Sequence, residues 1–206
     1  MQLYLSTAYL PTVEYIAAIR SAENVVIEKC ENFIKQTYRT RTYIMGPNGV
    51  QMLAVPVVQT HDKILISDVR IDYSVPWQRS HWRSITTAYN GSPYFLYYQD
   101  FLKPFYEKRY DFLLDFNMDM LALLLKLLAI QTPVSLSQDF SHAAPQGTTD
   151  LRYSFHPKRP LPESLNSAEV YPQVFSDRFG FVPRLSVLDL LSNVGLQFSE
   201  FFACKR

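Results

Sequence analysis

Two groups of side chains in this 206-residue chain have the types and spacing to do chemistry. The first is Lys35, Arg39 and Arg41, three cations within one short stretch that contains no acid. Arginine presents a bidentate fork, so this run suits a clamp for a phosphate or carboxylate. The same charges equally suit a solvated surface paired with Glu28 and Glu31. The second group is the run from Trp77 to Arg83, in which Trp77 and Trp82 interleave with Arg79, His81 and Arg83. Trp77, Trp82 and Tyr89 offer faces on which a sugar or base could stack, and Arg79 and Arg83 add anion-binding capacity. His81 titrates near neutrality and is the candidate general base. The alternative is that the aromatics pack in the core. If the chemical reading holds, the two groups face one cavity.

Other chemistries lack their residues. There is no GxxxxGK(S/T) phosphate loop, no GxGxxG dinucleotide fingerprint and no GxSxG hydrolase elbow. His61, His81, His142 and His156 show no HExxH spacing and no accompanying cysteine pairs, so no metal site is expected. Cys30 and Cys204 lie far apart without CxxC spacing and read as reduced thiols. No motif names a cofactor.

The elements that must position these residues follow from apolar periodicity. Residues 2–5 read as a strand, residues 12–20 as a helix opened by Pro11, and residues 23–30, with Val25, Val26 and Ile27 in a run, as a buried strand. A strand, loop, helix, strand opening predicts a parallel pair with ligands at the strand carboxyl ends, which places the loop from Ser6 to Tyr9 at that edge. Residues 41–45 and 50–58 predict a hairpin around Asn48-Gly49, and residues 63–71 a further strand. Helices are expected from about Gln78 to Tyr89, over 94–110 with a bend at Pro104, and over the leucine-rich residues 112–130. Long proline-punctuated loops then hold short strands at 134–136 and 151–155. Ser186, with Asp189 three residues on, marks a helix start.

The hydrophobic share of 48% against 19% charged residues indicates a well-buried globular chain, and its length predicts a single domain over residues 1–206. A net charge of +1 gives no field that would draw the protein onto nucleic acid. The start of the chain lacks a basic region followed by an apolar core, so no secretion signal is expected. The most apolar stretch, residues 112–130, is interrupted by Asp115, Asp119 and Lys126 and reads as a buried helix rather than a membrane span. A cytoplasmic protein is the expectation.

Four segments in order, YLPTVEYIAAI, ENFIKQTYRTRTYIMGPNGVQMLAVPV, WQRSHWRSITTAYNGSPYFLYY and YPQVFSDRFGFVPRLSVLDLLSN, resemble the WbqC-like family over nearly the whole chain. Thr40 stands where the family pattern has Asn, and Leu196 where it has proline. Members occur in bacterial surface-polysaccharide (O-antigen) gene clusters, and a glycine transferase role has been proposed for them. The resemblance implies transfer of an amino-acid acyl group to a sugar amine or hydroxyl, and it supplies no catalytic residues.

The expected fold is α/β: one domain, a mixed β-sheet with packed helices, opening with a strand-helix-strand unit. The expected function is an acyl or aminoacyl transferase acting on an activated sugar in polysaccharide biosynthesis. His81 would be its base, and Lys35, Arg39, Arg41, Trp77, Arg79, Trp82, Arg83 and Tyr89 would bind its ligands. The partners are a nucleotide-sugar or acyl donor, with charged tRNA the one nucleic acid in view. The alternative is a nucleotide-sugar or glycan binding protein without chemistry.

Overall fold

The computed structural model of the protein describes residues 1–59, 63–165 and 169–201, so His61 and Cys204 lie outside the described residues. In chain order the main elements are β1 (Gln2–Ser6), α1 (Val13–Ser21), β2 (Asn24–Glu28), β3 (Arg41–Gly46), β4 (Gly49–Ala54), α2 (Trp77–Tyr89), α3 (Phe95–Leu102), α4 (Leu113–Leu127), β5 (Val134–Leu136), β6 (Thr148–Asp150), α5 (Ser176–Phe179) and α6 (Val187–Val194).

The opening unit is as the periodicity predicts. β1 and β2 pair in parallel through α1, with Leu3 opposite Val25 and Leu5 opposite Ile27, all four buried. A strand covered on both faces needs such a continuous apolar run. Thr12 caps α1 by accepting a hydrogen bond from the Tyr15 amide, 3.3 Å away, so Pro11 precedes the cap instead of occupying the first helical position. β5 adds to the outer side of β2 and β6 to the other side of β1, both in parallel, giving the order β5-β2-β1-β6. The order steps outward from β1 through β2 to β5 and then jumps back across β1. β1 and β6 therefore flank the position where the direction of travel reverses, the place where α/β sheets open a crevice at their carboxyl edge.

Parallel and antiparallel pairing are both present but in separate sheets. The antiparallel pair is the hairpin β3–β4, in which Gly46 pairs with Gly49. The loop is Pro47-Asn48, and Gly49, at φ 108°, opens β4. An Asn-Gly loop of the expected kind would shift this register; Pro47, with its fixed negative φ, cannot take the positive φ such a turn demands at its first position.

Residues 63–71 do not form a strand. Residues 66–68 make one 3-10 turn, and the segment touches three neighbours by single bridges, Asn32 with Leu65, Val57 with Ile71 and Arg70 with Phe112. The expected helix over 94–110 stops at Leu102 and continues as a 3-10 turn through Tyr106, because Pro104 has no amide hydrogen to donate back to the preceding turn. The last strand is 148–150 rather than 151–155, and turns follow it.

The cap at Ser186 forms, its Oγ accepting from the Leu188 amide at 3.3 Å, whereas the Asp189 carboxylate turns inward to Tyr171 and Gln173. α6 ends on Gly195, at φ 58°. A Cβ there would lie 2.8 Å from Tyr94 Cδ1 and 3.0 Å from Cγ and Cε1. Gly195→Ala combines that clash with about 1–2 kcal/mol of left-handed backbone cost. The backbone cost alone is expected to lower the melting temperature by about 2–8 °C, read by thermal denaturation.

Candidate functional site

Four of the chain's buried charged residues meet at the carboxyl edge of the parallel sheet. Ser6 ends β1, Glu28 ends β2 and Asp150 ends β6. Glu31 and Arg39 come from the segment after β2, and Arg152 from the turn after β6. Arg39 grips Glu31 with its fork, Nε to Oε1 at 2.8 Å and Nη2 to Oε2 at 2.6 Å, and also donates to Ser6 Oγ at 2.7 Å. Arg152 donates to Glu28 Oε2 at 3.2 Å, to Asp150 Oδ2 at 2.6 Å and to the carbonyl oxygens of Ser141 and His142. Glu28, Glu31, Arg39 and Arg152 are all below 5% exposed. Burial of this kind is tolerated only where each charge is paired and its remaining sites are hydrogen-bonded. Arg152 in turn holds the Asp150 carboxyl below its usual range.

Between the loops after β1 and β6 lies a crevice lined by Ser6, Thr7 and Ala8 from the first loop and Leu151, Arg152 and Phe155 from the second, with Tyr15, Tyr38 and Arg39 completing it. It measures about 10 Å³, the space of a single water molecule.

The first predicted cluster is divided by this geometry. Arg39 is in the crevice wall, and its partner is the expected Glu31, but the pair is buried rather than solvated. Lys35 is exposed, and Arg41 opens β3 half-buried, its Nε without a hydrogen-bond partner among the described residues. The second cluster lies elsewhere. None of the crevice-lining residues comes from α2. Arg83 lines a different, open groove between α2 and the hairpin, where Gln51 donates to Ser84 Oγ at 2.9 Å, and Lys35, Arg39 and Arg41 take no part in that groove. The two groups therefore do not face one cavity. The Arg39 head is drawn to the sheet edge by Glu31, while α2 packs along β3. Arg79 and Arg83 are exposed.

Trp77, His81, Trp82 and Tyr89 meet neighbours in the core. Phe116 on α4 is the hub, with ring centroids 5.6 Å from Tyr9, 5.7 Å from Trp77 and 5.3 Å from Tyr110. Trp77 meets His81 edge-on at 5.0 Å. His81 Nδ1 is hydrogen-bonded to the Tyr9 hydroxyl at 2.9 Å, and that hydroxyl to Tyr106 at 3.1 Å. Trp82 packs on Tyr106 and Phe95, and Tyr89 is wholly buried beside Phe95. His81 is 6% exposed. Burial pushes its pKa down to about 4, a hydrogen bond to the Ala54 backbone opposing the shift. The direction is the one that Arg79 and Arg83 would give, but the cause is desolvation. His81 is thus an imidazole held among rings that does not line the crevice.

Sequence reading did not name Arg152, and it placed Ser6 at the sheet edge and Glu28 beside the cations without giving either, or His156, a site role. The signal for Ser6 was its place at the end of β1; Asp150, two residues before Arg152, is its local partner, whereas Glu28 lies 124 positions away. Among the described residues, no group of three or more His, Cys, Asp or Glu side chains gathers as a metal would need, and no helix is long and apolar enough to cross a membrane.

The model of the WbqC-like protein family matches residues 7–156. The chain belongs to this family. An uncharacterized protein of Mycobacterium tuberculosis, Rv1507c, is similar to it: 26% identical over 220 residues that cover 94% of this chain and 93% of that protein. No solved structure matches. The WbqC-like match runs from Thr7, the first residue after β1, to His156, beside the last crevice residue, and so takes in both loops of the sheet edge as well as the aromatic cluster.

Proposed function

We propose that this WbqC-like protein is an acyl or aminoacyl transferase acting on an activated sugar in bacterial surface-polysaccharide assembly, in the cytoplasm, and that its ligands bind at the carboxyl edge of the parallel sheet. The observation that carries the location is the crevice between the loops after β1 and β6, walled by the buried Arg39 and Arg152. Both guanidiniums are already neutralised by Glu31, Glu28 and Asp150, so they hold the walls, and the Arg39 guanidinium also donates to Ser6 Oγ. The reaction class is taken from the role proposed for the WbqC-like family, to which the chain belongs. The second reading, binding of a nucleotide-sugar or glycan without chemistry, is favoured by one observation: the imidazole of the aromatic cluster is enclosed and does not line the crevice.

A panel of nucleotide-sugars, coenzyme A, ATP with glycine, and charged tRNA separates these. A ligand present at 100 times its Kd stabilises by about 2.7 kcal/mol. For a chain of this length that raises the melting temperature by about 5–10 °C. Mass spectrometry of the sugar acceptor then reads turnover. An added acyl or aminoacyl mass supports the transferase; a melting shift with an unchanged acceptor supports the binding protein. No shift with any member of the panel sinks both.

A further inference from the structure

On the rim of the crevice the loop after β6 is folded around one arginine from the far end of the chain. The Arg184 guanidinium donates to the carbonyl oxygen of His156 and, at 3.0 Å, to that of Arg159. Within the loop the Lys158 amide donates to His156 Nδ1 at 3.1 Å, which leaves the imidazole proton on Nε2 and makes that nitrogen a donor. Lys158 Nζ reaches back to Gln36 Oε1 at 2.8 Å, tying the loop to the segment after β2. This rim is continuous with the crevice. Phe155 lines the crevice and His156 follows it, while Tyr38, also in the lining, feels the charge of Arg184.

Three features set these cations apart from Arg39 and Arg152. Among the described residues, Lys158, Arg159 and Arg184 form no ion pair. Lys158 and Arg159 are exposed and Arg184 and His156 half-buried, whereas Arg39 and Arg152 are buried; Glu14, which accepts from the Arg184 amide at 3.1 Å, is the acid nearest Arg184. Gln36 and Arg184 hold left-handed backbone, φ 61° and 63°, which residues with a side chain seldom adopt and which is retained mainly where the surroundings over-determine it, as at ligand sites. The charges crowd one another. Burial and then Arg159, Lys158, Arg39 and Arg184 all push the His156 pKa down, with no acid opposing them. A single carboxylate would leave surplus positive charge here, whereas a phosphate dianion or a diphosphate would match it.

We propose that Lys158, Arg159, Arg184 and the His156 Nε2–H form a site for the phosphate groups of a mono- or diphosphate ligand, placing the rest of that ligand over the crevice. The proposal rests on the transferase reading for the position of the ligand, and it adds the chemical class of the group the protein grips. Either a nucleoside diphosphate or a coenzyme A-type donor carries such a group.

The test is calorimetric titration of the whole protein with inorganic pyrophosphate at low ionic strength. Binding is expected, weakening as salt screens the cluster. The double variant Lys158→Ala with Arg159→Ala is expected to lose about tenfold in affinity or more for each charge-assisted contact removed, with its melting temperature close to that of the parent because both side chains are exposed. Absence of pyrophosphate binding, or equal affinity in the double variant, overturns the proposal. UDP beside uridine, and coenzyme A beside pyrophosphate, identify the source: each supports the site only if its affinity falls in the double variant. Pyrophosphate binding without turnover of any donor keeps this site and removes the transferase reading. Turnover that survives in the double variant without pyrophosphate binding does the reverse.

Discussion

Arg39→Ala is expected to destabilise the protein by about 3–5 kcal/mol, the cost of leaving one member of a buried ion pair without the other. Glu31, 1% exposed, would be left in the sheet edge with no guanidinium against it, and Ser6 Oγ would lose its donor at 2.7 Å. For this chain length the melting temperature should drop by about 6–20 °C. The double variant Arg39→Met with Glu31→Leu should recover most of that loss, since replacing both charges by apolar groups of similar size removes the desolvation cost along with the pairing. Two thermal melts decide the matter. An Arg39→Ala melt within about 2 °C of the parent would mean the pair contributes nothing to folding and would leave Arg39 free to clamp a ligand.

Between pH 4 and 6.5 two buried groups should pull stability in opposite directions. His81 has a folded pKa of about 4 against 6.5 when free, so its contribution is present above pH 6.5 and is lost as pH falls toward 4, where the unfolded chain takes up the proton first. Asp189, 1% exposed and hydrogen-bonded to Tyr171 and Gln173, has its pKa pushed up to about 6 by burial. Its contribution is fully present below pH 3.8 and is lost as pH rises through about 6. Each gap corresponds to about 3 kcal/mol across the window, so in the parent protein the two largely cancel. Glu14, whose pKa burial also raises, acts in the same direction as Asp189. Single variants should uncouple them. Asp189→Asn should leave a protein that weakens steadily on acidification from pH 6.5 to 4, and His81→Gln one that strengthens over the same range. Urea midpoints measured at half-unit pH steps would show this. Parallel pH profiles in the parent and both variants would mean that neither group titrates as its burial requires. The same His81→Gln protein bears on function: if transfer is found and survives in it, His81 is not the base.

The sequence by itself determined the elements whose energetics are local. The Val25-Val26-Ile27 run specified a buried parallel strand, and the short strand at 134–136, the helix from Trp77 and the cap at Ser186 were legible from periodicity and side-chain type. It also named Glu31 as a partner for the cations near it. Local pattern failed where a residue's state depends on what packs over it. Residues 63–71 alternate imperfectly like a strand, but no continuous partner lies beside them, and they settle for single bridges to three neighbours. The Trp77–Arg83 run has the composition of a binding surface; only the arrival of Phe116 from α4 and Tyr9 from the loop after β1 turns its rings and His81 inward. The tertiary structure alone decided the sheet edge. Arg152 meets Glu28 from 124 positions away, and Ser6 meets the Arg152 carbonyl from 146. Whether a charge is solvated, paired or buried depends on desolvation by parts of the chain remote in sequence. That is why the cations could be read from the sequence while their surroundings, and hence their chemistry, could not.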